Sequence, residues 1–236
     1  MKHLSAFLCS MLMTACLGSE PCKVAVLGDS YSTFEDYIPD GYAVWYWNRT
    51  MEYNDVCCVD STWWKRLCDR NGYQLLVNSS YSGSTICNTG YNGEDYSDRS
   101  FYTRLKDITK LDTLPDVLYI FGGTNDSWAG SPLGDLKYSG WSDEDMYSTL
   151  PAFCRLLNDL TDDLPDVRII FIMNTELKSD LVAGLKKASE HYCVDFLQLE
   201  DIDKQSGHPS NKGMRQICEQ IENYHRATFR KQGTDE

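Results

Sequence analysis

Basic side chains are few in this sequence. Its 236 residues include 22 Lys and Arg against 35 Asp and Glu, which gives a formal net charge of −13, and the Lys and Arg form no cluster. Proteins that bind nucleic acid neutralise phosphate groups with such clusters, and anionic membrane surfaces also attract basic patches. The composition therefore predicts no nucleic-acid partner and no electrostatic attraction to anionic membranes or polyanionic substrates.

The patterns that hold metal ions or a disulfide framework are lacking too. No pair of Cys-x-x-Cys motifs and no histidine cluster supports a zinc site. The cysteines beyond residue 20 are even in number, which permits disulfides, but their spacing resembles no disulfide framework. We interpret Cys154, Cys193 and Cys218 as small core side chains. The neighbouring Cys57 and Cys58 are interpreted as two adjacent small residues, with a strained vicinal disulfide as the alternative.

Long hydrophobic runs are lacking as well. Residues 4–13 are almost wholly apolar, but a run of about 10 residues is too short to span a bilayer and suits a signal peptide. Met13-Thr14-Ala15-Cys16 then resembles a bacterial lipobox, although Met13 replaces the usual Leu and leaves ordinary signal-peptidase cleavage open. We predict a signal peptide of lipoprotein type at residues 1–16 and export to the periplasm or cell surface. Membrane contact is expected only through a lipid on Cys16.

What the sequence does contain is an alternation of strand and helix patterns without an internal repeat. This alternation is typical of a parallel sheet covered by helices on both faces, and the length suits one such domain, placed at residues 22–231. Strands are predicted at residues 24–27, 73–77, 117–121, 167–173 and 194–197. Helices are predicted at residues 60–71, 99–108, 142–160 and 181–192 and from Ser210 onward, with Pro151 restarting or kinking the third.

An aromatic segment, residues 31–64, separates the first strand from the first helix. It shows no regular period, and a long irregular connection inside a compact domain is usually functional. Two interpretations stay open: the aromatic side chains line a pocket for sugar rings or an acyl chain, or they pack on one another over the edge of the sheet. The aromatic residues are Tyr31, Phe34, Tyr37, Tyr42, Trp45, Tyr46, Trp47, Tyr53, Trp63 and Trp64.

Small polar residues follow the first three predicted strands. In open α/β sheets, reactive side chains lie at the carboxyl ends of the strands, although Gly, Asp and Ser are also ordinary turn residues. Acyl transfer needs a nucleophile, a base that takes its proton, and donors for the oxyanion. The polar blocks are Gly28-Asp29-Ser30, Gly83 with its neighbours, and Gly123-Thr124-Asn125-Asp126.

A histidine in a loop is the best candidate for the base. His208 stands between Gly207 and Pro209, just before the last predicted helix, where a side chain can be held over a cleft. His191 and His225 fall within helical patterns, and we expect them at the surface. Ser30 and His208 therefore form the predicted nucleophile–base pair.

The three polar blocks and the pair His208-Pro209 resemble the motifs of the GDSL/SGNH hydrolase family. Their order and spacing match that family across nearly the whole mature chain. The resemblance implies a flavodoxin-like three-layer α/β/α fold with a five-stranded, mostly parallel sheet, and ester hydrolysis without a metal or other cofactor. It implies that Ser30 is the nucleophile and His208 the base. It also implies that the backbone N–H groups of Ser30 and Gly83 and the side chain of Asn125 are the oxyanion donors.

One position departs from the family pattern. The family usually has Asp three residues before the catalytic His, and Gln205 occupies that position here. In serine proteases, loss of that carboxylate costs about 10⁴ in rate. Gln205 itself can orient His208 without charge, Asp203 or Glu200 can supply a carboxylate, or a backbone carbonyl can orient a Ser–His dyad.

The expected function is that of an exported serine esterase. It would remove small acyl groups, such as acetyl, from a small-molecule or glycan ester. The alternatives are a lipase or thioesterase of the same family, or a glycan-binding lipoprotein that kept the fold without catalysis.

Overall fold

A five-stranded parallel sheet forms the centre of the computed structural model, which describes residues 20–232. The predicted signal peptide and Cys16 lie outside the described residues. The strands follow the order β2-β1-β3-β4-β5 and all neighbouring pairs are parallel. This is the flavodoxin-like order, so the predicted fold class is confirmed. The strands are β1 (Lys23–Gly28), β2 (Gln74–Ser80), β3 (Val117–Gly122), β4 (Arg168–Met173) and β5 (Asp195–Gln198).

Helices cover both faces of the sheet, and one short hairpin lies apart from it. In the hairpin, β6 (Lys204–Gln205) pairs antiparallel with β7 (His208–Pro209). No helix in residues 20–232 is long and apolar enough to cross a membrane. The helices are α1 (Trp63–Asn71), α2 (Phe101–Arg104), α3 (Lys106–Thr109), α4 (Thr124–Ala129), α5 (Thr149–Asp163), α6 (Ser179–His191) and α7 (Asn211–Gln232).

Alternating side chains of β1 enter two separate cores. Val24 and Val26 pack with side chains of α1 and α7, whereas Ala25 and Leu27 pack with side chains of α5 and α6. The central strand β3 is buried along its whole length, as expected for a strand covered on both faces. Burial of each large aliphatic side chain contributes about 1.5–3 kcal/mol, so the two cores fix the strand ends that carry the polar blocks.

Several local predictions need correction. Strand β2 continues through Asn78 to Ser80, because these small polar residues pair with β1. Residues 124–129, just after β3, form the short helix α4, which is not among the predicted helices. His225 is buried, not exposed, because its ring lies over the sheet with Nε2 3.0 Å from the Tyr119 hydroxyl. Cys193 is exposed because it occupies a left-handed turn between α6 and β5.

The thiols of the described part of the chain are all free. Cys154 and Cys218 are buried, as predicted for small core side chains. Cys57 and Cys58 are not joined in a vicinal disulfide; the Cys58 sulfur lies 3.2 Å from the Ser61 hydroxyl. Packing rather than cross-links therefore holds this part of the chain together.

Candidate active site

The predicted nucleophile lies where β1 ends. A single 3₁₀ turn, Ser30–Ser32, follows the strand, and the buried Asp29 carboxylate caps this turn by accepting from the Tyr31 N–H at 3.0 Å. The Asp29 N–H donates to the Phe121 carbonyl of β3 at 3.2 Å, which extends the sheet by one bond beyond the strand. These contacts fix Ser30 at the carboxyl edge of the sheet, where the side chain is only 2% exposed.

The structure brings Ser30 and His208 together across 178 positions of sequence. The distance from Ser30 Oγ to His208 Nε2 is 2.9 Å, and His208 Nδ1 lies 3.1 Å from the Ser206 carbonyl oxygen. A carbonyl oxygen only accepts, so Nδ1 carries the ring proton and donates it to Ser206. The lone pair of Nε2 then faces the Ser30 hydroxyl, which is the arrangement that a general base requires.

None of the three side chains proposed to orient His208 is hydrogen-bonded to it, and Glu200 is exposed at the surface. The Gln205 oxygen Oε1 accepts from the Asp55 N–H at 2.8 Å, so this side chain points away from the imidazole. The Asp203 carboxylate accepts from the Ser210 hydroxyl at the start of α7. Among the alternatives left open by the sequence, the backbone carbonyl is the one that the geometry matches. It belongs to Ser206, whose φ of +49° turns the hairpin back toward the ring.

The Asn125 amide is fixed by two neighbours that sequence reasoning had not linked to it. Its Nδ2 donates to the Ser84 carbonyl at 2.9 Å, and its Oδ1 accepts from the Tyr91 hydroxyl at 2.8 Å. Because a carbonyl cannot donate, these bonds also define which end of the amide is nitrogen. One N–H of Nδ2 remains for another acceptor.

The other two donors that the resemblance names are backbone N–H groups. Gly83, next to Ser84, has φ +85°, a conformation that favours glycine. Within residues 20–232, the N–H groups of Ser30 and Gly83 donate to no protein acceptor. Ser30, Gly83 and Asn125 therefore each have one N–H group available to bind an oxyanion.

A buried arginine ties the neighbouring strand ends together. Arg104 donates to the Gly28 carbonyl at 3.0 Å and to the Ser84 hydroxyl at 2.9 Å, and also contacts the Ser79 carbonyl. Burial lowers the pKa of Arg104 to about 10, which leaves it charged at neutral pH. No sequence pattern indicates this role, because the contacts join residues that are distant in the chain.

Aromatic rings surround His208. The Trp45 ring stacks on the imidazole with centroids 3.6 Å apart and planes at 10°. The Trp128 ring approaches edge-on at 5.8 Å. The Tyr31 ring lies at 5.3 Å, and its hydroxyl donates to the Gly207 carbonyl at 2.6 Å.

The aromatic segment 31–64 is thus divided between the core and the site. Trp45 is half-buried and lies against His208, whereas five other rings of the segment pack in the core beneath it. The rings of the core are Tyr31, Phe34, Tyr46, Trp63 and Trp64.

Burial is the largest influence on the pKa of His208. The ring is 6% exposed, and this loss of water lowers its pKa to about 4. The hydrogen bond to Ser206 raises the pKa, and the positive charge of Lys204 lowers it further. The imidazole is therefore neutral over the whole physiological range.

An open cavity of about 430 Å³ lies beside the hairpin that carries His208. Most of the residues that line it carry hydroxyl, amide or carboxylate side chains, and Tyr53 and Met51 are its large side chains of apolar character. The lining residues are Thr50, Met51, Glu52, Tyr53, Asn54, Asp55, Cys57, Gln205 and Ser206.

The strand order and the helices on both faces define a three-layer α/β/α protein. The contact between Ser30 and His208 at one edge of its sheet gives it the architecture of an ester hydrolase. The family model for GDSL-like lipases and acylhydrolases matches residues 22–225. The chain belongs to this family, as its sequence motifs indicated.

Solved structures agree with this assignment. A candidate GDSL-like lipase from Bacteroides ovatus is 50% identical, with a TM-score of 0.85 over 89% of this chain and 100% of that one. A second, from Bacteroides uniformis, is 47% identical, with a TM-score of 0.81 over 85% and 93% of the two chains. An acetyl xylan esterase from Butyrivibrio proteoclasticus shares the fold at 14% identity, with a TM-score of 0.60 over 90% and 65%. A comparison with curated proteins gave no match.

Proposed function

We propose that this protein is a serine esterase that removes short acyl groups, such as acetyl, from polar alcohols that include glycans. The observation that carries the proposal is the 2.9 Å contact between Ser30 Oγ and His208 Nε2, with the proton of His208 held on Nδ1 by the Ser206 carbonyl. A serine hydroxyl is a weak nucleophile, and a positioned neutral imidazole is the base that activates it.

The first half of the proposed reaction forms an acyl-enzyme. Ser30 Oγ attacks the ester carbonyl while its proton passes to Nε2 of His208. The N–H groups of Ser30 and Gly83 and the free N–H of Asn125 stabilise the resulting oxyanion. The tetrahedral intermediate collapses, the bond to the alcohol oxygen breaks, and the imidazolium returns its proton to that oxygen.

The second half repeats these steps with water. His208 takes a proton from water, the hydroxide attacks the acyl carbon, and the same donors hold the second oxyanion. Collapse breaks the bond to Ser30 Oγ, which recovers its proton from His208. The products are a free carboxylic acid and the unchanged enzyme.

Two features of the site support the substrate class. Ser30 is only 2% exposed, which favours a short acyl group over a long chain at the nucleophile. The cavity beside His208 is lined mainly by hydroxyl, amide and carboxylate side chains, with the Tyr53 ring at its edge. Such a wall suits an alcohol rich in hydroxyl groups, because each hydroxyl needs a hydrogen-bond partner when water is displaced.

Two assays test the proposal. Reaction with a fluorophosphonate probe should label the parent protein at Ser30, because only an activated serine reacts. Hydrolysis of nitrophenyl acetate, butyrate and octanoate should be fastest for acetate. Ser30→Ala should abolish labelling and reduce kcat by roughly 10⁴-fold or more.

Ser97→Ala is the matched control, since Ser97 is an exposed serine outside the site. It should react and turn over like the parent. A preference for octanoate would indicate the lipase alternative. A parent protein that neither reacts nor turns over would instead indicate a binding protein without catalysis.

A further inference from the structure

The stacked contact between Trp45 and His208 lies outside the motifs of the family resemblance. The two rings are nearly parallel at 10°, with centroids 3.6 Å apart, so one face of the imidazole lies on the indole. The backbone of Trp45 is also tied to the nucleophile turn: its main-chain N–H donates to the Thr33 hydroxyl at 2.9 Å, and that hydroxyl donates to the Ser30 carbonyl at 3.1 Å. The backbone that carries the indole is therefore held by the same turn that presents Ser30.

Within residues 20–232, neither ring nitrogen of His208 is hydrogen-bonded to a carboxylate. Nδ1 faces the neutral carbonyl of Ser206. The charged group of the neighbouring strand is Lys204, which is unfavourable to an imidazolium and is itself paired with Glu176 at 2.9 Å.

Two phenols of the segment after β1 also face the ring, and the buried Asp29 lies beside Ser30 on the turn that follows β1. Tyr31 and Tyr46 lie 5.3 and 6.5 Å from the imidazole, measured between ring centroids. Burial raises the pKa of Tyr46 well above its ordinary value and that of Tyr31 likewise, so both stay neutral.

We propose that Trp45 is a positioning residue that fixes the plane of His208 and stabilises the imidazolium through its π face, in place of the carboxylate of a complete triad. The inference rests on the proposed function, in which His208 becomes positive each time it takes a proton. The face of an indole carries partial negative charge and attracts a cation held above it. The attraction exists only while the ring is charged, so it stabilises the transition state more than the resting enzyme.

The test changes the charge of the π face without changing its shape. Tryptophan with one to four ring fluorines is incorporated at position 45 alone, since fluorine withdraws electron density from the face and nearly preserves the volume. We expect kcat for nitrophenyl acetate to fall progressively, by roughly three- to thirtyfold over the series, with little change in KM.

The acid limb of the pH profile of kcat/KM gives a second readout. A weaker π face makes the imidazolium less stable, so the pKa of His208 should fall and the limb should move to lower pH along the fluorine series. A tryptophan that serves only as a spacer would leave both kcat and the limb unchanged.

Two substitutions at position 45 test the same role independently of the fluorine series. Trp45→Phe keeps a weaker π face and should retain more activity than Trp45→Leu, which covers the imidazole without one. Trp47→Leu is the matched control, because Trp47 lies on the same segment and stacks instead with Arg49 at 4.7 Å; it should keep the parent kcat and pH profile.

The outcomes separate the two proposals. Unchanged kcat across the fluorine series, in a protein whose esterase activity depends on Ser30, overturns the role of Trp45 and leaves the proposed function standing. A parent protein without Ser30-dependent activity overturns the proposed function itself.

Discussion

At the scale of single residues, His208 shows how burial and hydrogen bonding share control of a base. Loss of water lowers its pKa to about 4, while the Ser206 carbonyl holds the proton on Nδ1. A base with so low a pKa is always available in its neutral form at neutral pH. It accepts a proton reluctantly, which is why stabilisation of the imidazolium matters to the rate.

The pH dependence of activity follows from this value. A general base must be neutral, so kcat/KM should be constant at neutral pH and fall as the pH drops through about 4. An unperturbed histidine would place this limb near 6.5. Initial rates on nitrophenyl acetate from pH 3.5 to 8 measure the limb.

A second group near the nucleophile needs its own control. Burial raises the pKa of Asp29 to about 7, so an inflection of the profile near that pH is assigned to Asp29 and not to His208. Asp29→Asn keeps an acceptor for the Tyr31 N–H and should remove that inflection while leaving the acid limb in place. An acid limb between pH 6 and 7 in the Asp29→Asn variant would contradict the buried, neutral His208.

Gln205 occupies the position at which the family usually has Asp, but its side chain has a different role here. Its side chain accepts from the Asp55 N–H, which joins the hairpin of His208 to the segment after β1. Asp203 likewise holds the start of α7 through the Ser210 hydroxyl. Both residues shape the backbone that presents the Ser206 carbonyl, and neither contacts the imidazole.

At the scale of elements, α7 packs closely against the residue that precedes β6 in the hairpin of His208. A Cβ added at Gly213 would lie 2.1 Å from the Asp203 carbonyl oxygen, which also accepts from the Ser210 N–H at 3.1 Å. The helix can approach this closely only because position 213 has no side chain. The hairpin of His208 thus takes its position from the first turn of α7.

Gly213→Ala should therefore displace the hairpin. Overpacking of this kind costs about 1–3 kcal/mol of stability, which corresponds to roughly 2–12 °C in Tm for a chain of this size. Calorimetry measures the loss of stability, and kcat should fall with it because His208 moves relative to Ser30. Arg215→Ala, an exposed position on the same helix, is the control and should change neither quantity; equal Tm values for Gly213→Ala and parent would show that the contact is not tight.

At the scale of the whole molecule, we propose that the chain is exported and lipid-anchored through Cys16. The proposal rests on the apolar run at residues 4–13 and the lipobox-like Met13-Thr14-Ala15-Cys16. With a net charge of −13, the chain has no electrostatic attraction to an anionic bilayer. A covalent lipid would then be its means of staying at a membrane.

Cys16→Ser should release the protein from the membrane fraction. Cells grown with labelled palmitate should incorporate the label into the parent protein and not into the variant. Ser19→Ala, just past the lipobox, should behave like the parent. Absence of label from the parent would reduce the prediction to an ordinary cleaved signal peptide.

The sequence by itself determined the elements and the chemistry available to them. Continuous apolar runs such as residues 117–121 become buried strands because a sheet covered on both faces needs apolar side chains on both faces. These patterns are local, so the strands and helices, the polar blocks at the strand ends and the choice of Ser30 and His208 could be predicted. The strand order entered through the resemblance, since periodicity carries no information on which strands are neighbours.

The tertiary structure alone decided what acts on the predicted residues. The partner of His208 is a backbone carbonyl, which every residue has, so only the turn of the hairpin could select Ser206. The stacking of Trp45 depends on how an irregular segment folds back across 163 positions. Such contacts are set by loop conformations and the packing of distant elements, and no short-range pattern in the sequence encodes them.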